Sequence, residues 1–180
     1  MLDILHQDHL NISKLLDVLR DKLTALRSEK TIRFDLLKDA LSYLSEVSDT
    51  RHHPREDLIY DYYVAYRCSD PTSVTSELKD QHKLIVSSGE ELREMVDMIL
   101  MDAVIPLDHV ALALEQFIAL QQQHLDYEEG TVFPLLRQAM TEDDWRHLEH
   151  NWANMTSDDP LFGRQVAERY QDLAMQLLSA

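Results

Sequence analysis

Apolar residues recur along this chain at alternating steps of three and four, the spacing that lays one stripe along an α-helix. Over about residues 3–28 the stripe reads Leu2, Leu5, His9, Ile12, Leu16, Leu19, Leu23 and Leu26. A polar turn at 28–31 leads to a second stripe over about 33–67: Leu37, Leu41, Leu44, Ser48, His52, Glu56, Ile59 and Tyr63. Residues 69–73 read as a loop and helix start, with Pro71 in the first turn. The third stripe runs to about Met101 through Leu78, His82, Ile85, Gly89, Leu92, Val96 and Ile99. The fourth helix opens at Pro106 and carries Val110, Leu114, Phe117, Gln121, His124, Glu128 and Leu135. Pro54 and Pro134 each remove a backbone donor and are expected to kink or end the helix that holds them. Four long helices joined by short connections predict an all-α fold, an antiparallel up-and-down four-helix bundle.

The last forty residues carry a different pattern. Thr141 with a carboxylate three residues on, at Asp144, marks a helix start before Trp145. That helix is expected to end near Met155, with a break at 157–160 and a final amphipathic helix over about 161–178. Trp145, Leu148, Trp152, Val166, Tyr170, Leu173 and Leu177 supply its packing face, and His147 and His150 fall outside it. The expected division is a bundle over residues 1–140 and a packed helical extension, one or two helices, over 141–180.

Composition narrows the picture. Three glycines and five prolines leave little turn chemistry for a many-stranded sheet. A net charge of −16 opposes binding to nucleic acid phosphates and to anionic membrane surfaces, both of which need a basic face. No apolar run is long enough to span a bilayer, and no basic segment followed by an apolar run opens the chain. A single cysteine, Cys68, excludes an internal disulfide and fits a reducing, cytoplasmic setting. The expected partner is a small molecule.

The candidate chemistry lies inside the stripes. His9, His52, His82 and His124 interrupt the four apolar seams, and Glu56 and Glu128 each follow a histidine by four residues. Residues at i and i+4 are stacked neighbours on a helix, so each His–Glu pair converges on one point. At 1.5 Å per residue, the four histidines all lie about 26–28 Å from the same end of an alternating bundle, with the glutamates about one turn deeper. Burying such a layer without compensation costs several kcal/mol. Carboxylates can bridge two cations, and mixed nitrogen and oxygen donors suit iron, with manganese, zinc or cobalt as substitutes. Six groups exceed the needs of one tetrahedral zinc and leave open positions on two ions. The alternative is a His–Glu hydrogen-bond network with no metal, which would be only partly satisfiable. His53 lies about 100° round the helix from His52, so a regular helix lets one of the two share the face of Glu56. His52 is the expected ligand, with the i+3 pairing of His53 and Glu56 as the alternative. Tyr63 shares that face and is a candidate for an open position, and Ser48 and Gln121 sit where they could orient ligands.

The ordered series His9, His52-x-x-x-Glu56, His82, His124-x-x-x-Glu128 resembles the hemerythrin-like (HHE cation-binding) family, as do the phrases HHPREDLIY and HLDYEEGTVFP. The resemblance covers about residues 1–140. It implies a non-haem centre of two iron ions, oxo- or hydroxo-bridged, with the four histidines as terminal ligands and Glu56 and Glu128 as bridges. Oxygen carriers of that family have a second histidine four residues after the third-helix one, where this chain has Val86. Their fourth-helix pair is also spaced H-x-x-x-x-D. Both departures bring the pattern closer to the branch linked to iron–sulfur cluster repair and nitrosative stress, whose cysteine-bearing N-terminal domain is absent from this sequence. The resemblance implies a protein that binds or senses oxygen, nitric oxide or peroxide at an open di-metal site. Two other readings stand beside it: an enzyme or iron donor acting on peroxide, nitric oxide or damaged clusters, and an iron store or sensor acting through a protein partner.

Overall fold

The structure is a computed structural model that describes residues 1–68, 74–153 and 158–179. The expected loop at 69–73 and the first residue of the expected break at 157–160 lie outside the described residues. Every regular element among those described is helical. Helix α1 is Leu2–Arg27, and α2 (Phe34–Leu44) runs through a π-helical stretch, Ser45–His52, into α3 (His53–Tyr66). Helix α4 is Val74–Leu100. Helix α5 (Leu107–Tyr127) likewise passes through a π stretch, Glu128–Val132, into α6 (Phe133–Ala139). Helix α7 is Glu142–Ala153, and α8 (Gln171–Ser179) closes the chain. No described helix is long and apolar enough to cross a membrane.

The stripes drive the packing. Helix α1 lies on α5, α5 on α4, α4 on α2 and α2 on α1, which closes a ring of four around one core. Gly89 permits the close approach of α4 to α5, since a Cβ there would sit 3.1 Å from Cε2 of Phe117. The core is split into two apolar clusters by a layer of histidines and glutamates. Leu2 and Leu5 lie in one cluster and Ile12 to Leu26 in the other, with His9 between. The helix through α2 and α3 crosses in the opposite sense, from Leu37 to Val47 before His52, to Ile59 and Tyr63 after Glu56. Helix α4 goes from Leu78 to Ile85 and beyond, and the α5–α6 helix from Val110 to Val132 and Phe133.

Both prolines sit in the first turn of a helix that follows a π stretch, so the break expected at each proline takes the form of a wider turn immediately before it. The π turn at 128–132 also rotates the stripe beyond it. Leu136 is fully buried and Leu135, expected inward, is only partly so.

Helices α1 and α4 end in matching caps. Lys30 N–H bonds Ala25 O and Glu29 N–H bonds Leu26 O, and Ala103 and Asp102 repeat the pattern on Met98 and Ile99. This motif needs a left-handed residue, and Glu29 (φ 53°) and Asp102 (φ 63°) occupy those positions. A Cβ in that region costs about 1 kcal/mol, so Glu29→Gly is expected to stabilise by about that amount. Thermal melting would show the gain as a rise of about 2–4 °C; an unchanged or lower melting point would refute the cap argument.

The extension is moored at two points. Asp144, 2 % exposed, accepts two hydrogen bonds from Arg67 at 2.8 Å, one from the Tyr62 hydroxyl at 2.8 Å, and one from Thr141 N–H at 2.7 Å. The Thr141 cap expected from the sequence is present. Arg67 holds the Asp144 carboxyl below its usual range. Its contribution is therefore present above about pH 3.8 and is lost as the pH falls below that. At the second mooring, Tyr43 donates to Asp159 at 2.7 Å, and Asp159 accepts from Leu161 and Phe162 N–H. That tight turn delays the final helix to Gln171, ten residues after its expected start, and leaves Val166 exposed. The turn consumes backbone donors that a helix beginning at Leu161 would have left open.

Candidate metal centre

The layer between the two apolar clusters is built from seven groups, one more than the stripes predict. His9, His52, His53, Glu56, His82, His124 and Glu128 are all buried, none more than 6 % exposed. The six expected residues meet, and His53 joins them. The π helix is the reason. Its wider turn closes the angle between neighbouring side chains, so His52 and His53 both reach the layer where a regular turn would send one away. The His53 ring stacks on His82 at 4.0 Å, on the wall that Val86 of α4 also lines.

Two overlapping clusters result. His9, His52, Glu56 and Glu128 offer ligand atoms within 4.8 Å of one another, and so do His53, Glu56, His82 and His124. Glu56 belongs to both. The individual separations are 3.0 Å from His52 Nε2 to Glu56 Oε1 and 3.2 Å from His9 Nε2 to the same oxygen. His124 Nε2 lies 3.2 Å from Glu128 Oε2, and His82 Nε2 lies 3.5 Å from Glu56 Oε2. Two ligands at right angles on an ion with bonds of about 2.1 Å stand about 3.0 Å apart. Nε2 of His52, His82 and His124 and Oε2 of Glu56 and Glu128 have no hydrogen-bond partner. Buried polar atoms are almost always paired. Five convergent lone donors therefore fit a cation better than a hydrogen-bond network.

The charges divide the layer. Burial alone would push both carboxyls up, yet His52 and His9 outweigh it at Glu56 and hold that group well below the usual range. At Glu128 burial, reinforced by the Glu56 charge, wins and raises the carboxyl to about 7. Burial depresses His9, but the adjacent Glu128 and Glu56 carboxylates reverse it and lift the imidazole to about 10; His52, with Glu56 and Asp8, rises to about 9. Burial prevails at His53 and His124, holding the first well below its ordinary range and the second at about 3. Neutral imidazole is the form that binds metal.

The outer face of the layer was not legible as chemistry in the sequence. Asp8 Oδ2 lies 3.3 Å from His52 Nδ1, Asp57 Oδ1 lies 3.4 Å from His82 Nδ1, Gln81 Oε1 lies 3.0 Å from His124 Nδ1, and Glu129 Oε1 lies 2.7 Å from His9 Nδ1. Each of these residues adjoins a layer residue on its own helix and faces a histidine of the next helix. A residue one step from the seam is turned about 100°, towards the neighbouring helix. Asp8, Gln81 and Glu129 hydrogen-bond their rings, and such partners set the ring orientation of metal-binding histidines. Ser48 and Gln121 are buried in the expected place, but Ser48 Oγ has no hydrogen-bond partner and Gln81 is the amide that reaches a ring. The tyrosine at the layer is Tyr60, whose hydroxyl donates to Glu128 Oε1 at 2.7 Å; Tyr63 faces Cys68 instead. His147 and His150 are exposed, as the stripe implied.

No individual curated protein and no solved structure matched this chain. A family-wide sequence profile did, the hemerythrin HHE cation binding domain, over residues 1–136. That span holds all seven layer residues and the four helices that present them, and the chain belongs to the hemerythrin HHE cation-binding family.

Proposed function

We propose that this chain is a non-haem di-iron protein of the cytoplasm that binds or senses a small oxidant or diatomic molecule: oxygen, nitric oxide or peroxide. The carrying observation is the pair of overlapping, buried His–Glu clusters, five of whose inward donor atoms have no hydrogen-bond partner. One ion would be held by His9 and His52, the other by His53, His82 and His124, with Glu56 shared and Glu128 as second bridge. Manganese or zinc could substitute. The alternation of the two apolar clusters along successive helices supports an antiparallel up-and-down bundle as the frame. Bound iron would supply reversible redox change and open coordination positions.

The chain's own residues do the rest. Glu129, Asp8 and Gln81 keep the imidazoles aimed inward. Phe133 stacks on His9 at 5.2 Å and, with Ile59 and Leu5, keeps water from one side of the layer. Tyr60 occupies one oxygen of Glu128.

Elemental analysis of the purified chain with its visible spectrum tests this reading. Two irons per chain with oxo-bridge charge-transfer bands are expected, one ion for each cluster. His124→Ala should lower metal content sharply and His147→Ala should leave it unchanged. Equal loading of the two variants would remove the site assignment. Protein that takes up no ferrous iron without oxygen would turn the layer into a structural network.

A further inference from the structure

The two halves of the centre sit in unequal surroundings. His9 has both ring nitrogens hydrogen-bonded, inward to Glu56 and outward to Glu129, and the outer nitrogen of His52 is bonded to Asp8. Arg55 in turn lies 3.3 Å from Asp8. On the other half, Nδ1 of His53 and Nδ1 of His82 have no hydrogen-bond partner. Their nearest carboxylates are Asp49 at 3.6 Å and Asp57 at 3.4 Å. A ring tied at its outer nitrogen keeps its orientation, whereas an untied ring can turn and offer a nitrogen outward.

Those two untied rings border a pocket of about 370 Å³ between the π stretch and α4, whose wall also holds Asp49, Asp57 and Glu90. Two lysines are present, Lys79 and Lys83, but each is drawn to an acid outside the pocket, Lys79 to Asp61 at 2.7 Å and Lys83 to Asp80 at 2.8 Å. Three carboxylates against two lysines leave the wall acidic on balance, and it leads to two buried imidazoles whose outer nitrogens have no hydrogen-bond partner. A second opening reaches His124 on the far side of α4. Its wall of Gln81, Leu84, Ile85, Leu120 and Gln123 contains no carboxylate and encloses about 160 Å³. A hydrated dication is attracted by the first wall and gains nothing from the second.

We propose that the acidic pocket is the port through which divalent cations reach and leave the centre, and that the His53–His82–His124 half is the exchangeable one. This rests on the metal-centre reading above. A cation exchanges water for the carboxylates of Asp49 and Asp57, then for the imidazoles of His53 and His82 as they turn. The His9–His52 half, with tied rings, exchanges slowly.

The test follows release of cobalt(II) from the fully loaded chain to a chromogenic chelator. Two phases of equal amplitude are expected for the unaltered protein. Val86→Trp, which fills the port, and Glu90→Lys, which reverses charge on its wall, should each slow the fast phase and cobalt uptake by about tenfold. Neither residue is itself a proposed ligand, so final loading should be unchanged. Gln123→Trp, which fills the opposite opening, should leave both rates as they were. His53→Ala should remove the fast ion and retain the slow one. A single release phase, a Val86→Trp variant that exchanges at the normal rate, or an equal slowing by Gln123→Trp would overturn the port while leaving the metal centre intact. A chain that binds no cobalt would overturn both.

Discussion

Glu56→Gln is expected to abolish binding of both ions at concentrations that saturate the unaltered protein. Glu56 is the one residue common to the two clusters, with Oε1 facing His9 and His52 and Oε2 facing His82. The amide keeps the volume but presents one neutral oxygen and an NH2 that cannot ligate. Loss of an outer partner of a metal ligand costs 10–100-fold in affinity, so loss of a shared ligand costs more than about 100-fold at each ion. Because the substitution is isosteric, the helical circular dichroism of the metal-free protein should be retained. Metal content near that of the unaltered chain would show that Glu56 is structural and that the two clusters do not share a bridge.

Removing the metal is expected to lower the melting temperature by roughly 10 °C. An ion present at about 1,000 times its dissociation constant stabilises by about 4 kcal/mol, and a chain of this size shifts by about 2–4 °C per kcal/mol. The size of the gap should depend on pH. In the metal-free protein His9 and His52 are lifted from 6.5 to about 10 and about 9, so the folded state keeps protons that the unfolded chain releases. Their contribution is complete below about pH 6.5 and drains away as the pH rises through 9 to 10. Metal binding runs in the opposite sense, since it needs those imidazoles neutral and expels their protons. The metal-free melting point should therefore fall between pH 6.5 and 10 while the advantage of the loaded protein widens. Calorimetric titration in buffers of different ionisation heat should register the expelled protons at pH 7. A gap that narrows with rising pH would show that His9 and His52 are not ligands.

The parts of the centre visible in the sequence were those that broke a periodic pattern. A histidine or glutamate in a leucine stripe is conspicuous because the stripe defines which residues are buried. Glu56 and Glu128 were visible for the same reason, together with their spacing of four from His52 and His124. The assignment of buried faces held closely over α1 and α4, where the helix is regular from end to end. It slipped by one residue beyond the π stretch of the fourth long helix, where Leu136 takes the place expected for Leu135.

Residues with no such mark could not be found from spacing. Asp8, Asp57, Gln81 and Glu129 sit off the stripe and read as ordinary solvated polar residues. They act only because another helix places a histidine ring beside them. His53 stands in the sequence only as the alternative to His52, because at 100° per residue one of the two shares the face of Glu56, and the π turn removes that premise.

The sequence alone determined the four stripes and the layer that crosses them. These follow from helical periodicity and the cost of burying polar groups, and both are local properties. The tertiary structure decided that seven groups rather than six share the layer, which tyrosine reaches Glu128, and which half of the centre faces an open wall. Each of these depends on the departure of two helices from a regular turn and on the rotation of neighbouring helices about their axes. Contacts across the bundle set both, and no stretch of one helix encodes them.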